Sequence, residues 1–572
     1  MKTNFAITLL ALCCVIVHPV TTLAEASESH SLRAEHAMVV SASRLASEAG
    51  VEMMREGGNA FDAAAATGFV LAVTYPQAGN LGGGGFLVAR TAAGESFTLD
   101  FRETAPAAAH RDMYLDEDGN VIAGSSLYTP LASGVPGSVD GLLRMWRDHG
   151  SGNISRKVLL APAIRFAEEG FILSSSMAAT LNKYRDRLSA DSAATRIFNP
   201  KDGSEWKEGD RLVQRDLAGT LRRIAAHGRK GFYKGPVARA FAKQMDATGG
   251  LITKKDLARY RSVYRDPVVG TFHGYEIISM GPPSSGGIFL IQMLNMLEGF
   301  DLNALGQGSS RYVHLLTEVQ RRAYADRAEF LGDPDFFDVP AAGLMDKRYA
   351  VERMADFSFD HATPSSEIAH GAPAPYESPE TTHYSVVDPA GNAVAITITL
   401  NTLFGSGIVV RGAGFLLNNE MDDFSAKPGV PNVYGLIGNE ANAIQPRKRM
   451  LSSMTPTIVT ENGQTRYVLG TPGGSTIITT ILQIFLNAAV HGMDIRQAVA
   501  APRHHSQWLP DVIYTESKVF SDETRSALES LGHTIKPYPN APYIGVANCI
   551  EIAPDGLHGA PDPRLDNAAV GY

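Results

Sequence analysis

At 572 residues, with 44% hydrophobic and 19% charged residues, the chain has the mix of a soluble globular protein and the length for a large core. That mix excludes a disordered or fibrous polymer. A formal net charge of −9 provides no basic face for a nucleic-acid partner, and short runs such as Arg447-Lys448-Arg449 do not alter this.

In chain order, the first feature is Lys2 followed by an apolar run, Phe5–Val17, and then Thr22-Leu23-Ala24. This is the pattern of an export signal cut after Ala24, so residues 1–24 are expected to leave. The run is shorter than the ~20 residues that cross a bilayer, and no stable membrane anchor is expected. Cys13 and Cys14 go with the leader, which leaves Cys549 alone and makes an intrachain disulfide impossible. An exported chain without disulfides suits a bacterial periplasm, or secretion from a bacterium.

Helices are predicted at Ser43–Glu56, stopped by Gly57-Gly58, and at Ala60–Val73, stopped before Pro76. A longer one is predicted over Arg311–Leu331, with Val313, Leu316, Ala323 and Phe330 near one face. His361–Glu380 is rich in Pro, Ala and Ser without apolar periodicity and reads as an exposed, flexible segment. Short β-branched strands follow at His383–Val387, Ala393–Leu400, Gly414–Leu417, Pro456–Val459 and Thr465–Leu469. A helix over Ser475–Val490 and another opening at Asp494 come next. A loose segment running straight into strands reads either as a linker between domains or as a processing site at which a strand starts from a new N-terminus.

The residues at that junction are Glu380-Thr381-Thr382-His383-Tyr384-Ser385. A threonine hydroxyl is a weak nucleophile without an adjacent base. Were Thr381 N-terminal, its own α-amine, with an ordinary pKa of about 7.7–8.0, could take the hydroxyl proton directly or through a water. Thr381 could make the cut itself by attacking the preceding carbonyl to form an ester that water hydrolyses. On these residues alone, hydroxyls in a strand are more often mere β-formers.

The surrounding motifs change that balance. They are Asn80-Leu81-Gly82-Gly83-Gly84-Gly85-Phe86, Asp100-Phe101-Arg102-Glu103, Thr397–Gly407, Leu417–Phe424, Leu451–Pro456 and Gly470–Ser475. With these, from about Ala37 to Asp562-Pro563-Arg564, the chain resembles the γ-glutamyltranspeptidase family of N-terminal nucleophile hydrolases. The resemblance implies an α+β fold, a four-layer αββα sandwich built by both pieces of a self-cleaved precursor. The large subunit would be residues 25–380, with 361–380 as its flexible tail, and the small subunit 381–572.

It also implies roles. Thr381 would be the nucleophile, with Thr399 positioning it, and Gly473 and Gly474 would offer backbone N–H groups to the oxyanion. Glycines there also suit a tight turn into a helix. A γ-glutamyl donor carries a free α-carboxylate and a free α-ammonium, so its site needs a cationic fork with hydroxyls for one and acids or amide oxygens for the other. The resemblance assigns Arg102, Ser452 and Ser453 to the carboxylate, and Asn401, Glu420 and Asp423 to the ammonium. Ala426–Arg449 matches the family's lid, with Tyr434 as a gate over the glutamyl pocket.

The expected partners are glutathione and other γ-glutamyl compounds, with amino acids or peptides as acceptors. No metal or organic cofactor is expected. Gly82–Gly85 lacks the lysine and spacing of a phosphate loop, and His504-His505 reads as an exposed pair rather than a ligand set. No chemistry is derivable for Pro282-Pro283-Ser284-Ser285-Gly286-Gly287. Two rival readings are a glutaryl-cephalosporin acylase of the same fold, whose substrate lacks the α-ammonium, and a non-catalytic exported binding protein.

Overall fold

A computed structural model describes residues 32–371, 382–539 and 541–572. The proposed leader, residues 372–380 and Thr381 itself lie outside the described residues.

The early helices form as their punctuation dictates. Helix α1 spans Arg44–Arg55 and α2 spans Ala60–Thr74. Asn59 caps α2 reciprocally with Asp62, satisfying amide donors that the first helical turn leaves unpaired. Every residue of α2 is buried, which its run of alanines permits by letting neighbouring layers approach closely. Three further helices matter to the site: α3, Ser138–His149; α4, Gly286–Leu297; and α5, Ser310–Phe330, capped by Ser309. A fourth, α6, is Thr476–Ala489. The single apolar face expected for α5 is too narrow a description, because most of its circumference is buried, including Glu318, Arg321, Arg322, Asp326 and Arg327.

Fourteen strands make two large sheets, seven in each. In chain order they are β1 Arg33–Ala34, β2 Met38–Ser41, β3 Gly84–Arg90, β4 Ser96–Asp100, β5 Val263–Arg265, β6 Val268–Phe272 and β7 Tyr275–Ser279. They continue as β8 Thr382–Val387, β9 Ala393–Thr399, β10 Thr457–Glu461, β11 Gln464–Leu469, β12 Asn548–Ala553, β13 Gly556–Pro561 and β14 Ala568–Gly571. The first sheet runs β14-β2-β8-β9-β3-β4-β5 and the second β1-β13-β12-β11-β10-β7-β6. Neighbouring strands in both are antiparallel.

Strand alternation explains how they stack. In β9, Val394, Ile396 and Ile398 point into one core with α1, α2 and α3, whereas Ala393 and Ala395 join a second core with Ile458, Val468 and Ile550 of the other sheet. A third core sits between that sheet and α4, α5 and α6. The layers are therefore helix, sheet, sheet, helix, the expected α+β sandwich.

Two local expectations fail. Gly414–Leu417 is not a strand. Gly412 and Gly414 both adopt left-handed backbone, with φ 71° and 79°, folding the chain into a tight turn. The Val410 N–H then donates to the Phe415 carbonyl at 2.9 Å, and Val409 and Leu416 form only an isolated bridge. His504 and His505 are buried, not exposed. His505 is held between Thr479 Oγ1 at 2.8 Å and Gln507 Oε1 at 3.0 Å. Residues 361–371 are mostly exposed but tied down: Ser365 N–H donates to Asp511 and Gly371 N–H to Asp326, both at 2.8 Å.

Candidate active site

The site forms where β9 ends on the inner face of the first sheet. Thr397 and Thr399 lie on the side of β9 that faces the other sheet. Thr397 Oγ1 meets His383 Nδ1 at 3.0 Å, and burial lowers that imidazole's pKa to about 3, so it stays neutral. Thr399 is fully buried, and its Oγ1 accepts the N–H of Asn401 at 2.7 Å. Its carbonyl accepts from Asn80 Nδ2 at 2.7 Å, while Asn80 Oδ1 takes the Gly83 N–H and the Ser138 hydroxyl. The glycine run is what lets these groups meet. A Cβ on Gly83 would stand 1.9 Å from the Thr399 carbonyl oxygen, so any side chain there would push β3 away from β9.

Asn401 adopts left-handed backbone at φ 72°, a conformation Asn tolerates better than most residues. That turn sends its side chain back over the cavity, where Nδ2 donates to Asn419 O and Oδ1 accepts the Tyr434 hydroxyl, both at 2.9 Å. Tyr434 thus sits on Asn401, closing the 426–449 loop. The loop's own ties are Lys427 to the Gly119 carbonyl at 2.7 Å, and Val433 N–H to Asp422 at 3.2 Å.

Beneath Asn401 lies a buried charge cluster. The Arg102 guanidinium grips Glu420 through one terminal nitrogen and Asp423 through the other. It also donates to the Met450 and Leu451 carbonyls at 3.1 and 2.7 Å. Glu103 stands 3.7 Å from the same guanidinium. All four side chains are fully buried. One cation facing three carboxyl groups cannot hold them all ionised cheaply. Burial pushes the Glu103 carboxyl well above the ordinary range, and Glu420 beside it pushes further, outweighing Arg102. Glu420 is raised by burial too, but Arg102 and hydrogen bonds with Glu103 and Thr399 pull the other way. Of the two, Glu103 is the one pushed further toward its protonated form, because Arg102 grips Glu420 directly.

The paired serines follow directly on Leu451, whose carbonyl Arg102 holds. Ser453 Oγ lies 2.6 Å from Arg327 Nη2, and Ser452 Oγ accepts the Met454 N–H at 3.1 Å. The Pro-Pro-Ser-Ser-Gly-Gly segment now has a function in the fold. Ser452 N–H donates to Pro283 O, and Ser285 returns both its N–H and its hydroxyl to Ser452 O, at 3.0, 2.8 and 2.9 Å. A Cβ on Gly286 would meet Thr455 Oγ1 at 2.2 Å, so the clamp needs glycine.

Gly473 and Gly474 have φ of 144° and 61° and precede α6. Among the described residues neither of their N–H groups meets a carbonyl, which leaves two donors at a helix start.

The described structure thus brings Arg102, Asn401, Glu420, Asp423, Ser452, Ser453, Thr399 and Tyr434 together, and leaves Thr381 outside its description. Sequence reasoning missed Glu103, Asn80 and Arg327. Glu103 was visible beside Arg102, but nothing in the sequence placed it against Glu420. Among the described residues, one group has metal-ligand spacing: His314, Glu318 and His533. Glu318 already pairs with Arg321 and Arg322, and the two histidines bond each other at 2.7 Å. That is a structural tie with cations at its edge, a poor home for a metal ion.

Two antiparallel sheets between helical layers, with a threonine-lined strand end facing a buried acid and guanidinium cluster, are the sandwich of the N-terminal nucleophile hydrolases. Among solved structures, a cephalosporin acylase from Bacillus halodurans aligns with TM-score 0.83 at 26% identity, covering 94% of this chain and 96% of that one. Helicobacter pylori γ-glutamyltranspeptidase aligns with TM-score 0.57 at 48% identity, over 58% of this chain and 94% of that one. The sequence model described as Gamma-glutamyltranspeptidase matches residues 46–572. The glutathione hydrolase proenzyme of Escherichia coli K12 is 48% identical over 556 residues, 97% of this chain and 95% of the relative. The chain belongs to the γ-glutamyltranspeptidase family.

Proposed function

We propose that this chain is an exported bacterial precursor, periplasmic or secreted, that cuts itself between Glu380 and Thr381 and then acts as a γ-glutamyltransferase and glutathione hydrolase. The observation that carries the reading is the register of β8 and β9. Thr382 pairs with Ile398, so β8 starts beside the end of β9, where Thr399 lies next to the acid and guanidinium cluster. In the sequence, Thr381 is the residue just before Thr382.

In the reaction, the Thr381 amine takes the hydroxyl proton as Oγ attacks the γ-glutamyl carbonyl. Gly473 and Gly474 N–H groups hold the oxyanion. The C–N bond breaks, the proton passes to the departing amine, and a γ-glutamyl ester remains on Thr381. Water then releases glutamate, or the amine of an amino acid or peptide takes the acyl group. Arg102 and the serines receive the donor's α-carboxylate, and Asn401, Glu420 and Asp423 receive its α-ammonium. Buried acids with no ammonium to meet disfavour a glutaryl donor, and a γ-glutamyl anilide assayed beside a glutaryl anilide separates the two.

The direct test is denaturing electrophoresis with N-terminal sequencing. Wild type is expected as two bands, the lighter starting Thr-Thr-His-Tyr, and Thr381→Ala as one uncut, inactive band. A lighter band starting elsewhere, or cleavage of the alanine variant, overturns the proposal.

A further inference from the structure

A cavity of about 510 Å³ is lined in part by Gly473, Tyr434 and Thr402. Tyr75, Tyr128 and Tyr184 help wall it, and Lys183 and Arg187 are the cations in its described lining, which contains no Asp or Glu. Gly473, a proposed oxyanion donor, and Tyr434, which bonds Asn401, belong to the same lining.

Arg187 is half-buried at the junction of two short helices, Ser175–Lys183 and Arg185–Ser189. Its guanidinium donates to Thr402 Oγ1 at 2.8 Å, to Leu403 O at 3.2 Å and to Gly405 O. It lies 5.0 Å from the Tyr128 ring centre. All these neighbours are neutral, no carboxylate pairs with Arg187 among the described residues, and its Nε is buried without an acceptor. Lys183 is exposed, stands 5.7 Å over the Tyr184 ring, and likewise forms no ion pair there. Cations that bear on a cavity without a matching acid attract an anion to it.

Resting on the acyl-transfer reading above, we propose that this cavity is the subsite for the amine half of the reaction. It holds the free carboxylate of the departing or incoming amino acid or short peptide against Lys183 and Arg187. The tyrosine walls cover the rest of that molecule and leave its amine at Gly473, beside the ester.

The test uses the mature enzyme with γ-glutamyl-p-nitroanilide, whose leaving group has no carboxylate. Nitroaniline release without acceptor tests the acyl-transfer reading itself, and its absence would remove that reading whatever the acceptor data show. The proposal is tested separately, by comparing glycylglycine with glycylglycinamide as acceptors at equal free-amine concentration. In wild type the amide is expected to show an acceptor KM at least tenfold higher. Lys183→Met and Arg187→Gln should each shrink that ratio severalfold, and Lys183→Arg should keep it. Because Arg187 also props the 402–405 turn, Lys183→Met, a change at an exposed side chain, decides the matter. Equal KM values for the two acceptors in wild type, or an undiminished ratio in Lys183→Met, would overturn the proposal.

Discussion

Arg102 is the cation that allows Glu420 and Asp423 to remain buried as acceptors. Replacing it with methionine keeps the volume and removes the charge, which strands carboxylates in a dry pocket. Breaking a buried pair this way costs about 3–5 kcal/mol, so Arg102→Met is expected to lose that much in denaturant unfolding and to be inactive toward donors. Glu103 makes the contrasting case. Burial and the neighbouring Glu420 push its carboxyl toward the protonated form, so Glu103→Gln exchanges it for a neutral group of the same shape. It should unfold within about 1 kcal/mol of wild type and keep its donor KM within about threefold. If the two variants proved equally damaging, Glu103 would be an ionised partner of Arg102.

At the scale of elements, the 426–449 loop has several ties, and the one that holds Tyr434 over Asn401 is a single neutral hydrogen bond at 2.9 Å. Such a bond is worth about 0.5–1.5 kcal/mol net. Tyr434→Phe should therefore open the loop more often and raise the donor KM about two- to tenfold, with kcat changed less, in steady-state assays. An unchanged KM would mean that the loop is held elsewhere. The sequence made this element legible because Pro and Gly mark a loop locally. The strands from Thr382 to Leu469 were legible for the same reason: their β-branched alternation and turn residues are local signals. The misreadings at Gly414–Leu417 and His504-His505 have different causes. The first is a local turn closed by Gly412 and Gly414, which the apolar pattern outweighed. The second was set by distant contacts, since His505 is held by Thr479, 26 positions away, and no short window of sequence contains that. Asn80, Arg327 and the Ser284–Ser285 clamp were hidden for that reason too. Each acts on a residue more than 120 positions away.

Across the whole molecule, both sheets interleave the segments before and after Glu380. In the first, β8 and β9 lie between β2 and β3; in the second, β10 to β13 lie between β1 and β7. Pieces joined through the centre of two sheets have no route apart short of unfolding, so a cut at Glu380 would leave one body. The same seam carries an acid-sensitive tie. His314 of α5 meets His533, from the later segment, at 2.7 Å, and Ser358 O lies at the other ring nitrogen of His314, also at 2.7 Å. Burial, with Arg321 and His314 nearby, lowers the His533 pKa to about 2. A base whose folded pKa is depressed stays neutral in the native state while the unfolded chain takes up its proton below about pH 6.5. Its contribution to stability is therefore complete above that pH and is lost as pH falls through the window down to about 2. Asp422 works in the opposite direction. Burial raises its pKa to about 6, so acid favours the folded form there, and the wild-type curve alone does not isolate the histidine. The comparison with His533→Gln does, since Gln can still bond His314 but binds no proton. As pH falls from 6.5 to 5, the wild type's extra loss relative to the variant should steepen toward about 1.4 kcal/mol per pH unit, measured as the difference in urea-unfolding free energy at each pH. Parallel curves would mean that His533 is protonated in the folded state, and that the two segments are not joined there by a neutral imidazole pair.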